Sequence, residues 1–253
     1  EQIAWQSHFH IAQVDAKIQS SQHNNGTINA TGSLRDVKAG NFNLNSAYIY
    51  ASGTRYQHAI TLVAKNPQLD LSATLNGGWR KQIWSGQISQ LRNGEPYPAT
   101  LRAPAQLTVN ADRVLLQNAD LNVAHGVLKL DEFIYSSAGI SSHGSASGID
   151  VGYIQQRLHP DKQITNTLTA GAKWQFSLAN KVDGEIKLWR EQGDISISGY
   201  KTTRLGINGF LFSLLAQNNQ LTAKLDTNGT TMGRLSAQAS TTLARHGNGL
   251  VFS

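Results

Sequence analysis

Hydrophobic and polar residues alternate along most of this chain with a period of two. The clearest run is Leu69, Leu71, Ala73, Leu75, Gly77 and Trp79, interleaved with Asp70, Ser72, Thr74, Asn76 and Gly78. Successive side chains of a strand point to opposite faces, so this run has one apolar and one polar face. The same alternation recurs at Phe42, Leu44, Tyr48 and Tyr50, at Ile60 and Leu62, at Leu107 and Val109, and at Leu115, Ala119 and Leu121. It continues at Leu128 and Leu130, at Trp174, Phe176 and Leu178, and at Ile186 and Leu188, then through 221–225 and 235–243. Asn25-Gly26, Asn93-Gly94, Asp183-Gly184, Gly193-Asp194 and Asn228-Gly229 punctuate the runs as hairpin turns would. The pattern predicts an all-β, antiparallel fold of roughly fourteen to sixteen strands.

Two places depart from strict alternation. In Leu128, Leu130, Phe133, Tyr135 the apolar phase slips at Asp131-Glu132, and a β-bulge there would return the later pair to the same face. An acidic catalytic pair is disfavoured because neighbours in a strand point to opposite faces. Over 149–159 the spacing changes to that of a helix, with Val151, Ile154 and Leu158 at i, i+3 and i+7. Ser147 to Asp150 has the form of a capping box, and Pro160 follows. A short amphipathic helix at 149–160 is expected, dividing a strand section at 1–148 from another at 161–253 within one structural unit.

Composition narrows the function. The longest nearly apolar run, 210–216, is far shorter than the roughly eighteen residues of a membrane-spanning helix. With no cysteine there is no disulfide, thiol nucleophile or thiolate metal site. The net charge is +6, yet Arg80-Lys81 is the only adjacent basic pair, which argues against the concentrated stripe that nucleic acid requires. A preference for anionic lipid headgroups is compatible with that charge. The chain opens on Glu1 without a leader, so it is expected to be a segment of a longer protein.

No catalytic constellation is evident. His8 and His10 share a strand face, as a metal half-site would, but no second cluster completes it, and the pair reads as a solvated strand end. The serines around His143 lack a nucleophile elbow, and no phosphate-binding glycine loop occurs. Trp5, Trp79, Trp84, Trp174 and Trp189 could stack sugars if they lined an exposed groove, whereas burial against the apolar sheet face is the default. The chain is read as non-enzymatic, with no metal and no cofactor.

A set of motifs in fixed order points further. Gly77-Gly78-Trp79 is followed by Trp84-Ser85-Gly86-Gln87-Ile88 through Leu91, then Pro104-Ala105-Gln106-Leu107, then Gly126-Val127-Leu128-Lys129-Leu130, then Gly144 to Gly148 and the helix. Gly184-Glu185-Ile186-Lys187-Leu188 and Gln192-Gly193-Asp194-Ile195 continue the series. This order, over roughly residues 70–245, resembles the TamB branch of the AsmA-like lipid-transfer family. The resemblance implies a long sheet curled into a U-shaped apolar trough, the β-taco, in the periplasm of a Gram-negative bacterium. It also implies phospholipids as cargo and a TamA-like outer-membrane barrel protein and the inner membrane as partners, reached through a C-terminal region and an N-terminal anchor outside this segment.

The expected trough face comprises Phe42, Leu44, Leu69, Leu71, Leu75, Leu107, Val109, Leu128, Leu130, Trp174, Phe176, Leu178, Ile186 and Leu188, with Val151, Ile154 and Leu158 of the helix at its rim. Strands stacked about 4.8 Å apart would give fourteen of them a length on the order of 65 Å. Alternation alone leaves open a closed sandwich core. It also leaves open a scaffold for nascent outer-membrane barrels, acting through a free sheet edge, and a glycan-binding β-solenoid or adhesin.

Overall fold

Alternating apolar residues bounded by Gly, Asn and Pro give strands throughout the computed structural model, which describes residues 9–20, 26–39, 42–94, 96–160, 163–246 and 249–252. The chain forms two compact units, 1–111 and 112–253. The first contains β1 (Phe9–Ser20), β2 (Thr27–Ala39), β3 (Phe42–Thr54), β4 (His58–Asn66), β5 (Leu69–Arg80), β6 (Ile83–Asn93), β7 (Ala99–Ala103) and β8 (Ala105–Val109). Each strand from β1 to β6 pairs antiparallel with the next. β7 and β8 both pair along β6, and Pro104, which has no N–H to give a ladder, separates them.

The second unit contains β9 (Arg113–Val123), β10 (Gly126–Ser136), β11 (Gly139–Asp150), α1 (Val151–Leu158), β12 (Ile164–Asn166), β13 (Thr169–Leu178), β14 (Val182–Gln192), β15 (Ile195–Ile197), β16 (Thr203–Arg204), β17 (Ile207–Gln217), β18 (Gln220–Gly229), β19 (Gly233–His246) and β20 (Gly249–Phe252). Its antiparallel sheet runs β9-β10-β11-β13-β14-β17-β18-β19-β20, while β12, β15 and β16 form a small sheet of their own. The expected all-β, antiparallel fold with one short helix is borne out among the described residues. The strand number exceeds the expectation because Pro104 splits one strand and because β12, β15 and β16 are too short to alternate visibly.

The bulge expected at Asp131 is present. Leu130 pairs with Gly144 and Phe133 with Ser142, so the extra residue restores Phe133 to the face of Leu130. β9 carries a matching kink at Asn118 (φ 57°), because Ala119 and Leu116 face the same two β10 residues. Asp36 (φ 49°) is skipped in the pairing of β2 with β3 in the same manner, opposite Asn45.

Turn chemistry differs from the sequence reading. Of the two-residue hairpins, Lys81-Gln82, Ala124-His125 and Asn218-Asn219 hold both central residues at positive φ, as type I′ turns require, whereas Pro67-Gln68 and Ser137-Ala138 do not. Asp183-Gly184 lies inside β14, where Gly184 (φ 137°) pairs in register with Phe176 and a Cβ would sit 2.2 Å from the Gln175 oxygen. The Ala124-His125 turn is held by the helix: His125 Nδ1 lies 3.1 Å from Asp150 Oδ2, and its ring centroid is 4.5 Å from that of Tyr153.

Helix α1 begins at Val151, capped by Asp150 rather than by Ser147, with the Tyr153 N–H donating to Asp150 Oδ1 at 2.8 Å. Burial raises the Asp150 pKa, but the Tyr153 N–H and the hydrogen bond and charge of His125 outweigh it and hold the carboxyl below its ordinary value. α1 lies within the second unit and packs through Gly152, where a Cβ would lie 1.9 Å from the Asn166 oxygen. Val151 and Ile154 are half-buried; Leu158 is 55% exposed and takes no part in that packing. No helix among the described residues is long and apolar enough to cross a membrane.

Candidate functional site: an apolar ladder in each unit

Register decides which side chains share a face. In the first unit Leu71 pairs with Ala64, Leu75 with Ile60, and Leu69 with Asn66. Across β6, Leu75 pairs with Ile88, which pairs with Ala105; Leu107 pairs with Gly86 and Val109 with Trp84. Leu69, Leu71, Leu75, Leu107 and Val109 therefore lie on one face. Leu44 pairs with Val37 beyond the Asp36 kink, which returns both to the face of Leu34 and Ala47. Of Phe42 only the backbone is described, paired with Ala39. Tyr48 and Tyr50, which the alternation grouped with Leu44, occupy the opposite face, since it is Ile49 that pairs with Leu62.

The second unit carries a wider ladder. Leu128 leads through Ala146 and Ala172 to Leu188 and Phe212; Leu130 leads through Gly144 and Trp174 to Ile186 and Leu214. Phe176 pairs with Ser142 and Gly184, and Leu178 with Ile140 and Val182. All seven expected residues of this section share one face. The expected trough set left out Ile88, Leu116, Phe133 and Leu214, although all four are apolar and share the face. The bulge at Ser89 and the kink at Asn118 disguised the phase of Ile88 and Leu116, whereas the expected bulge at Asp131 does place Phe133 on this face.

This face is not sealed. Among the described residues no large side chain is fully buried, and the buried apolar set is mostly alanine: Ala64, Ala73, Ala105, Ala119, Ala124 and Ala146. Leu69, Leu71, Leu75, Leu128, Leu130, Trp174, Phe176 and Ile186 are half-buried, and Leu178 and Leu188 are each 37% exposed. A face covered by a second layer would bury its Leu, Phe and Trp and leave the alanines incidental.

Tryptophans lie flat on glycines along the ladder. Trp84, 4% exposed, covers Gly77 and Gly86, where a Cβ would come within 2.6 and 2.8 Å of the indole. Its Nε1–H donates to His58 Nε2 at 2.9 Å, and His58 Nδ1 lies 2.9 Å from the Thr54 oxygen, so the Nδ1 proton donates there and the imidazole is neutral. Trp174 covers Gly144 and donates to Ser142 Oγ at 3.0 Å. Trp189 covers Gly171 on the opposite face, and Trp79 is 38% exposed. Trp5 and His8 lie outside the described residues, and no group of three potential metal ligands occurs among those described.

Asp194, 7% exposed, organises the small sheet. Its carboxylate accepts from the N–H groups of Ile195 (2.8 Å), Ile207 (3.0 Å) and Gly206 (3.1 Å), with Arg204 Nε at 3.4 Å. The Ile207 N–H foremost, then Ile195, Gly206 and the Arg204 charge, hold its pKa below the ordinary carboxylate value against the opposing effect of burial. A lowered folded pKa gives stability that is complete above the unfolded pKa near 3.9 and is lost as pH falls through the folded one. Asp194→Asn is therefore expected to lower the melting temperature by several degrees at pH 7. The gap from wild type should narrow below about pH 4 as the wild-type carboxyl is protonated. Equal gaps at pH 3 and pH 7 would contradict this assignment.

No curated protein and no solved structure matches the chain. The family model described as TamB, N-terminal domain, matches residues 1–248, extending well before the first of the ordered motifs. The chain therefore belongs to the TamB family, a structural and transport module of outer-membrane assembly or lipid transport that is periplasmic and inner-membrane-anchored in Gram-negative bacteria.

Proposed function

We propose that the apolar ladder of each unit shields phospholipid acyl chains during passage between the inner and outer membranes. The observation that carries this reading is the half-exposure of its leucines and aromatics while the small residues beneath them are buried. A diacyl lipid in water exposes two hydrocarbon chains, at about 0.8 kcal/mol per CH2, a penalty on the order of 20 kcal/mol or more. A continuous apolar face lowers that penalty at every position along it. Side chains of similar size make many similar weak sites, which suits sliding rather than tight binding. The inner membrane and a TamA-like barrel protein are the partners this reading assigns at the two ends of the route.

The test is organic extraction of the chain purified from cells without detergent, followed by lipid mass spectrometry. Co-purifying phospholipid is expected. A lipid-free, stable protein that instead captures unfolded barrel strands would favour the scaffold reading.

A further inference from the structure

One lip of the first unit gathers basic and aromatic side chains. It is built from the β3–β4 turn, with Arg55 and Tyr56, and the β5–β6 turn, with Arg80 and Lys81. The two turns are joined: the Trp79 N–H donates to the Arg55 oxygen at 2.8 Å, and a Cβ on Gly78 would sit 2.0 Å from the Tyr56 oxygen. Arg55, Arg80 and Lys81 are exposed, and among the described residues none of the three is ion-paired. Neither 54–58 nor 78–84 contains Asp or Glu. On the opposite side of the sheet, Lys65 next to the β4–β5 turn is neutralised by Asp70 at 3.1 Å.

Two further features mark this lip as a boundary. Trp79, which pairs with Trp84 on the ladder face, is 38% exposed and Tyr56 of the neighbouring turn 54% exposed, so the apolar ladder runs out among the cations rather than stopping short of them. Trp and Tyr beside Lys and Arg at an apolar edge are the combination that settles at a lipid headgroup region. A cleft of about 360 Å³ opens on the polar-face side of the same edge, lined by Tyr56, Gln57, Gly78 and Arg80 among others. Lys81 and Gln82 hold left-handed φ values of 46° and 66°, a conformation that Asn-Gly adopts with less strain, so the turn presents a cation at conformational expense.

We propose that this lip holds the phosphate of an anionic phospholipid headgroup while the acyl chains lie along the ladder, an inference that rests on the groove reading above. The intact protein, carrying a photoreactive residue in place of Leu71 on the ladder or Trp79 at the lip, is crosslinked in cells, and the adducts are identified by mass spectrometry. Adducts at position 79 should be enriched in anionic over zwitterionic phospholipid relative to the membrane. The combined variant Arg55→Gln, Arg80→Gln, Lys81→Gln should cut that enrichment roughly three- to tenfold, the size expected of three exposed charges. Total adduct at position 71 should stay unchanged, which also reports that the variant is folded. Lipid at 71 with no anionic enrichment at 79, or an enrichment the variant leaves intact, overturns the lip assignment alone. No lipid at 71 in the parent overturns the groove reading and the lip with it.

Discussion

Replacing Trp84 by alanine is expected to destabilise the chain by about 3–5 kcal/mol, the range for removing a buried Trp. The substitution uncovers Gly77 and Gly86 and leaves His58 Nε2 without its donor in a site where the imidazole is only 7% exposed. Trp84→Phe separates the two effects. It keeps a ring over the glycines and loses the hydrogen bond, so roughly 1–3 kcal/mol of the total should remain. Urea titration of the three proteins measures the differences, and a Trp84→Ala midpoint close to wild type would remove the indole from its anchoring role. No other large side chain among the described residues combines such burial with a paired polar atom, so no other single truncation on the ladder should cost as much.

Leu75→Arg should have the opposite balance, with little loss of stability and a large loss of lipid. Leu75 stands mid-strand between Ile60 and Ile88 and is half-buried. On an open face an arginine lays its methylenes along neighbouring apolar surface and carries its guanidinium to water, so the melting temperature should fall by only a few degrees. The charge then stands in the acyl path, and co-purifying phospholipid should drop severalfold. Under a sealed core the same substitution would bury an unpaired charge and cost several kcal/mol. Leu71 lies nearer the strand start, where an arginine has a shorter way out, which makes position 75 the stricter test.

Most of the strands and the ladder were legible because period-two alternation is a local signal. The bulge at Asp131 was legible too, since a phase slip between Leu130 and Phe133 has few other remedies. The kinks at Asn118 and Asp36 were not, because a left-handed φ at a single non-glycine residue leaves little trace in the apolar pattern. Ala124-His125 turns because Asp150 and Tyr153 hold His125, a contact made by residues 25 or more positions away. The sequence separation hides such contacts from any local reading. The helix cap moved from Ser147 to Asp150 because β11 keeps its ladder as far as Asp150, whose carboxylate then accepts from the Tyr153 N–H. The glycines beneath Trp84, Trp174 and Trp189 needed the cross-strand register before their purpose could be read: they leave room for an indole to lie against the backbone.

The most direct measurement places a photoreactive residue at position 71 of the first unit or position 176 of the second in the intact protein and crosslinks in living cells. Leu71 and Phe176 are half-buried members of the two ladders, and each lies beside small or polar partners that leave a ligand room to approach. Phospholipid adducts at both positions, with none at polar-face controls such as Ser72 and Gln175, are the predicted result. Absence of lipid at both ladder positions in a folded, crosslinking-competent protein would contradict the account.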